Sequence, residues 1–289
     1  MTADTENKAN TLNKNTREIP GAEIGIIGGS STNSVSFPEE INFPGVSVVS
    51  REIVFETPFG QSPVFKLFTV SGHRVLTCRM HGWRGGVTRA DASRQIFWVF
   101  LQAGVKRVLA EGGVGAVNHL LKPRDLLIPN DYIDYSMRKD TGLGEPYLLI
   151  MRQALCPEMR QTLYGYALQE TSNRRIFDRG VYVVTDGRHF ESPAEVNLFK
   201  MSGGDIVGQS LCPEVYLARE IGACYARIDM VVNYAEGVVA DWEHDELKEI
   251  FFSESVLIGT LLLKTVTGLP PEAKCCCGEL RKPTLLKDK

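Results

Sequence analysis

The most restrictive feature of this chain is a change of pattern across residues 203–220. Asp205-Ile206-Val207 is a short apolar run suited to a buried strand, and Ser210 falls where that run stops. Pro213 then supplies the fixed φ that favours the first turn of a helix, while Val215, Leu217, Ala218 and Ile221 give that helix an inward face. Strand, hydroxyl, helix is the resulting order. In open α/β sheets ligands sit outside the carboxyl ends of the strands, and a helix N-terminus offers unpaired N–H groups to an anion. Ser210 is therefore a candidate anion contact, against the plainer role of capping the helix or closing a turn.

The same punctuation recurs along the chain. Residues 23–31 read as a buried strand ending in the turn Gly28-Gly29-Ser30-Ser31, which can bring backbone N–H groups close to a phosphate. Runs at 46–54, 63–70 and 74–79 suggest a meander of strands, the third delivering Arg79-Met80-His81. A helix over 90–103 stops at Gly104, and the strand 105–110 opens into a glycine-rich stretch, 111–118. Further strands are expected at 125–133, 180–185 and 223–232, and further helices at 157–171 and 243–265. Ser192-Pro193-Ala194-Glu195 is a capping box with proline at the first helical position, which leaves Phe190 and Glu191 at a strand-to-helix mouth. Strands and helices alternate, with a strand-rich first third. That order predicts an α/β fold of three layers, a mixed central β-sheet flanked by helices.

At 289 residues the chain can build one large core without a second domain. Residues 1–22 are too polar to offset ordering entropy and are expected as a disordered leader, 23–268 as the globular domain, and 269–289 as a polar tail. A net charge of −3 offers no attraction to nucleic acid or to an acidic membrane. No run approaches the roughly 20 apolar residues of a membrane span, so a cytoplasmic protein is the default expectation. The seven cysteines follow neither zinc spacing nor a secreted disulfide framework. Cys78, Cys156, Cys212 and Cys224 read as small core residues, and Cys275-Cys276-Cys277 as part of an unstructured end. Neither a metal nor a cofactor is expected.

Strands of a single sheet present their ends to one crevice, so the polar strand ends are best taken together. Ser30, Arg79, His81, the backbone of Gly113, and Ser210 would make an oxyanion cradle. Glu191 and Asn233 would make an amide-like recognition pair for a heterocycle that both donates and accepts hydrogen bonds.

Gly25-Ile26-Ile27-Gly28-Gly29-Ser30, Glu56-Thr57-Pro58-Phe59-Gly60, Arg79-Met80-His81, the glycine loop 112–116 with Asn118, Phe190 to Glu195, and Pro213-Glu214-Val215 with Ala218 carry a resemblance. Over about residues 24–266 the chain resembles the trimeric purine nucleoside phosphorylase and methylthioadenosine phosphorylase family. The resemblance implies a pentosyltransferase of purine salvage that needs no cofactor, takes inorganic phosphate as co-substrate, and forms a homotrimer. It assigns Ser30, Arg79, His81, Gly113 and Ser210 to phosphate, with His81 and Asn233 catalytic. Phe190, Glu191 and Asn233 go to the base, and Trp83, Gln209 and His244 to the sugar. Asn233 and His244 point to 6-oxopurine nucleosides with a 5′-hydroxyl, inosine or guanosine. The alternatives are S-methyl-5′-thioadenosine or methylthioinosine phosphorolysis, and a catalytically inactive purine-binding homologue.

Three departures stand against the family pattern. Gln209 replaces a methionine under the ribose, and Glu111 with Gly112 replaces small polar residues beside the cradle. The carboxylate of Glu111 would repel phosphate unless it faces away or pairs with a cation such as Arg84. The loop 139–151 is shortened where a neighbouring subunit would lend an aromatic, for which Tyr147 is the candidate.

Overall fold

The computed structural model describes residues 18–171 and 173–284. Eleven strands form the main sheet. In chain order they are β1 (Ile24–Ile27), β2 (Ser47–Ile53), β3 (Phe65–Val70), β4 (His73–Cys78), β5 (Arg107–Ala116) and β6 (Leu126–Leu127). There follow β7 (Asp131–Asp134), β8 (Ile176–Phe177), β9 (Val181–Val184), β10 (Ile206–Gly208) and β11 (Cys224–Tyr234). The helices are α1 (Arg89–Ala103), α2 (Pro157–Glu170), α3 (Pro193–Met201), α4 (Leu211–Glu220) and α5 (His244–Gly268). The spatial order is β8-β6-β11-β5-β1-β4-β3-β2, with β10 pairing β5, β9 pairing β10, and β7 pairing β9. Parallel and antiparallel pairings both occur, so the expected mixed sheet is present.

Alternation along the strands builds the three layers. Ile24 and Ile26 join a core with Met159 and Leu163 of α2 and Ile258 and Leu262 of α5, whereas Ile27 joins Phe97 of α1 and Val215 of α4. Gly25 faces the α1 side, where a Cβ would meet the Phe100 ring at 2.6 Å. Along β11, Ala226, Ile228 and Met230 pack on the α2 and α5 side, while Tyr225 and Val231 face the other way. α5 is long and apolar enough to cross a membrane by length and composition, contrary to the reading of the sequence by runs. Its apolar face is buried against the sheet instead.

β5 runs six residues beyond the expected strand, through Glu111-Gly112-Gly113-Val114-Gly115-Ala116. Glycine here serves close approach rather than a turn. A Cβ at Gly112 would meet Arg227 Nη2 at 2.7 Å, and one at Gly113 would meet Phe251 at 2.5 Å. The strand expected over 125–133 is broken into β6 and β7, which pair with different neighbours.

Residues 1–17 of the expected leader lie outside the described residues. Of its remainder, Ala22 is buried and donates its N–H to Ala103. The expected polar tail is a correction: described as far as 284, it folds back on the domain. Arg281–Pro283 pairs antiparallel with Tyr147–Leu149, and Cys277 and Leu280 are buried. Arg219 Nη1 donates to the Cys277 carbonyl at 2.9 Å, and Arg281 donates to the Glu220 carbonyl. Tyr147, expected at a subunit boundary, is half-buried in this pairing under the Arg281 guanidinium, 4.4 Å away.

Candidate active site

A cavity of about 240 Å³ opens at the carboxyl ends of β5, β10 and β11. Ser30, His81, Trp83, Gly113, Phe190, Glu191, Gln209, Ser210 and Asn233 all line it, so nine of the predicted residues from six segments converge.

Two predicted residues are not brought there. Arg79 is exposed beside a neighbouring recess, and its Nη2 donates to the carbonyls of Asn33 and Val35 at 2.9 and 2.8 Å. Adjacent positions in this turn project differently, so Met80 and His81 enter the cavity and Arg79 does not. His244 is exposed at the start of α5 and does not line the cavity, whereas Leu247 and Phe251, one and two turns further on, do. The helical period puts residue 244 on the same stripe as 247 and 251, so it is the place of His244 in the exposed first turn of α5 that leaves it outside the lining.

Met80 and His81 both hold left-handed backbone, with φ of 49° and 52°. Such conformations are uncommon for residues with a Cβ and persist where surroundings over-determine them. The buried His81 Nδ1 lies 2.7 Å from Glu214 Oε1, and Tyr225 OH donates to Glu214 Oε2 at 2.7 Å. Because a carboxylate only accepts, Nδ1 carries the hydrogen and Nε2 lies on the side of Gly29, next to Ser30. Glu214 thus sets the ring, a role the sequence reading missed although Pro213-Glu214 was in view.

Ser210 makes no capping bond to α4. Its hydroxyl instead accepts from Arg227 Nη2 at 3.1 Å. Arg227 and Asp229, spaced by two on β11, share one face, are fully buried, and pair at 2.5 Å. Burial works against the guanidinium charge, but Asp229, then Tyr182 and Tyr225, outweigh it and hold Arg227 well above its ordinary range. Its Nη1 has no hydrogen-bond partner among the described residues. The Arg227–Asp229 pair therefore stands behind Gly112, with Arg227 Nη2 turned to Ser210, and both Gly112 and Ser210 belong to the cavity wall.

Glu111 faces neither the cavity nor Arg84, which donates to the carbonyls of Gly82 and Gln61 and to Gln95 Oε1. The Glu111 carboxylate accepts from the N–H of Gly29 at 2.5 Å, Ser31 at 3.3 Å and Thr32 at 3.0 Å, and from the Thr32 hydroxyl at 2.8 Å. It thereby occupies N–H groups of the glycine turn that could otherwise approach a phosphate.

Buried Glu191, also in the lining, sits ahead of the α3 capping box, which forms as expected. Thr185 Oγ1 donates to its Oε1 at 2.5 Å. Asn233 reaches the cavity because β11 shifts register between Val231 and Asn233, so that consecutive Val232 and Asn233 both line it. Asn233 Nδ2 donates to the Tyr234 carbonyl at 2.7 Å, which fixes the amide plane. Phe190, 52% exposed, lies at the mouth with its ring 4.5 Å from that of Trp242. Trp83 is held under Arg89, 3.9 Å from its ring, and Arg89 Nη1 donates to Gln209 Oε1 at 2.7 Å. Gln209 is thus tied into the wall rather than left free.

Residues 23–266 match the model of the phosphorylase superfamily. A probable 6-oxopurine nucleoside phosphorylase of Moorella thermoacetica is 32% identical over 272 residues, spanning 88% of this chain and 96% of that protein. A probable S-methyl-5′-thioinosine phosphorylase of Methanopyrus kandleri is 32% identical over 270 residues, spanning 89% and 96%. Methylthioadenosine phosphorylase from Schistosoma mansoni, solved with adenine, superimposes with a TM-score of 0.75 at 23% identity over 89% of this chain and 95% of that one, a likeness of fold.

Proposed function

Because the chain belongs to the phosphorylase superfamily, we propose that it is a purine nucleoside phosphorylase of the cytoplasm, a pentosyltransferase of purine salvage, acting on 6-oxopurine nucleosides such as inosine and guanosine. Inorganic phosphate attacks the anomeric carbon, the bond from that carbon to the purine nitrogen breaks, and the products are free base and pentose 1-phosphate. No cofactor takes part. The observation that carries the reading is a single cavity whose lining holds Ser30, His81 and Ser210 together with Glu191 and Asn233. The hydroxyls, the imidazole, the Gly113 N–H and the charge of Arg227 behind Ser210 would orient the nucleophile and favour the charge that develops on the sugar. Arg79 has no part in this version of the site.

Glu191 is suited to the ring N–H of hypoxanthine or guanine, because a 6-aminopurine presents an acceptor at that place. Asn233 would support the leaving base as charge grows on its imidazole nitrogen. The nucleoside relatives named as 6-oxopurine enzymes support the same preference.

One observation favours a second reading of the sugar. His244, expected at the 5′-hydroxyl, stays outside the cavity, and the same helix presents Leu247 and Phe251 to it. An apolar 5′-methylthio group on a 6-oxopurine nucleoside suits that wall. A panel of inosine, guanosine, methylthioinosine and methylthioadenosine, each with and without phosphate, tests both readings. Hypoxanthine release from inosine that requires phosphate is the expected result. Much faster cleavage of methylthioinosine selects the second reading, equal release without phosphate a hydrolase, and binding without turnover an inactive homologue. The family resemblance also points to a homotrimer, to be checked by light scattering.

A further inference from the structure

Four cysteines that sequence spacing did not connect come together at the opposite end of the sheet. The sulfurs of Cys156, Cys224, Cys275 and Cys277 all lie within 4.8 Å of one another. They arrive from three separate places: Cys156 precedes Pro157 as the N-cap of α2, Cys224 opens β11, and the other two belong to the folded-back C-terminal segment. Of the three consecutive cysteines only the alternate pair turns inward, while Cys276 is exposed. The expectation of isolated core thiols and an unstructured end is corrected by this arrangement.

We propose that Cys156, Cys224, Cys275 and Cys277 form a closed, structural site in which four thiolates hold one zinc ion. Zinc–sulfur bonds of about 2.3 Å in a tetrahedron put the sulfurs about 3.8 Å apart, a spacing that fits a cluster within 4.8 Å. The sulfurs of Cys224 and Cys275, 3.2 Å apart, are well beyond the roughly 2.05 Å of a disulfide. Four thiolates leave no open position for substrate, which makes the role structural rather than catalytic. Thiolate ligands also select zinc over the hard cations. On binding, the thiols release their protons to solvent. The residual negative charge of such a centre is met by cations: Lys106 and Arg107 line the recess that holds Cys224 and Cys275.

Such an ion would fasten the C-terminal segment to the first turn of α2 and the start of β11. Asn233 lies nine residues further along that strand, on the order of 30 Å at about 3.3 Å per residue. The site is therefore separate from the nucleoside cavity.

The test is elemental analysis of full-length protein purified under reducing conditions without added chelator. One equivalent of zinc per chain is expected, retained in Cys276→Ser and lost in Cys275→Ser and Cys277→Ser. Because those two variants can also fail to fold, wild-type protein stripped by chelator under reductant is titrated with Co²⁺. Thiolate-to-cobalt absorption with tetrahedral d–d bands, displaced by zinc, is expected. Metal-free protein with four reactive thiols and no cobalt signal overturns the proposal. So do disulfides joining these cysteines in non-reducing peptide maps, or iron in place of zinc.

Discussion

At the scale of single residues, Glu111 sets the character of the anion end. Its carboxylate takes three backbone N–H groups and a hydroxyl of the Gly29–Thr32 turn, so the turn is already satisfied by a group of the wrong sign for a phosphate neighbour. Glu111→Gln keeps one oxygen for those donors and removes the charge. The KM for phosphate is expected to fall about tenfold, the effect of a like charge roughly 10 Å away at an effective dielectric near 20. Stability should fall by about 1–3 kcal/mol, since a neutral amide serves several N–H groups less well. Steady-state kinetics with phosphate as the varied substrate reads the first effect and urea unfolding the second; an unchanged KM would mean the carboxylate does not act on the anion. Asp229 is the complementary case. Removing it in Asp229→Ala leaves Arg227 fully buried without its counter-charge, and a loss of about 3–5 kcal/mol is expected from urea unfolding. The double change Arg227→Met with Asp229→Leu should recover most of that loss, which separates the cost of an unpaired charge from the worth of the pair.

At the scale of elements, the site depends on two long strands that behave unlike ordinary ones. β5 carries glycines at 112, 113 and 115 because neighbours press on its backbone from both faces, Arg227 on one and Phe251 on the other. Gly113→Ala brings a Cβ to 2.5 Å of Phe251 and must push the first turns of α5 outward. A loss of about 1–3 kcal/mol is expected from overpacking, together with a raised KM for the nucleoside, because Leu247 and Phe251 form a cavity wall. Gly25→Ala, which meets Phe100 on the α1 side, should lose comparable stability in urea and leave the KM unchanged. Equal kinetic effects in both would mean that α5 does not shape the cavity. These elements also explain which parts of the site were legible. Glu191 could be found because a capping box fixes where α3 begins, and Ser210 because proline marks the start of α4. Arg227 and Asp229 were passed over because they interrupt a strand that is otherwise apolar. The inward turn of Asn233 rests on a register shift against β5 that no periodicity announces. Arg79 misled for the opposite reason: in a left-handed turn, neighbouring residues do not follow the alternation of the strand before them.

At the scale of the whole molecule, the three-layer order was legible because each element carries its own period, whereas contacts between distant segments were not. The C-terminal segment is the clearest instance: its polar composition reads as a tail, yet buried Cys277 and Leu280, the Arg219 bond to Cys277 and the pairing of Arg281–Pro283 with Tyr147–Leu149 bind it to the domain. Deleting residues 270–289 uncovers the apolar surface under those two side chains, worth about 2–5 kcal/mol together, and takes from the buried Arg219 its Nη1 bond to Cys277. Measured with chelator and reductant present in both samples, so that packing alone is compared, the truncated protein should melt several degrees lower. That shift follows from about 2–4 °C per kcal/mol for a domain of this size. Activity at 25 °C should stay within about twofold, because Cys224 and Asn233 stand at opposite ends of β11 and the truncation touches only the first. An unchanged melting temperature would show that the segment merely lies on the surface. A large loss of turnover in a protein that still melts cooperatively would instead require the two ends of the sheet to be coupled.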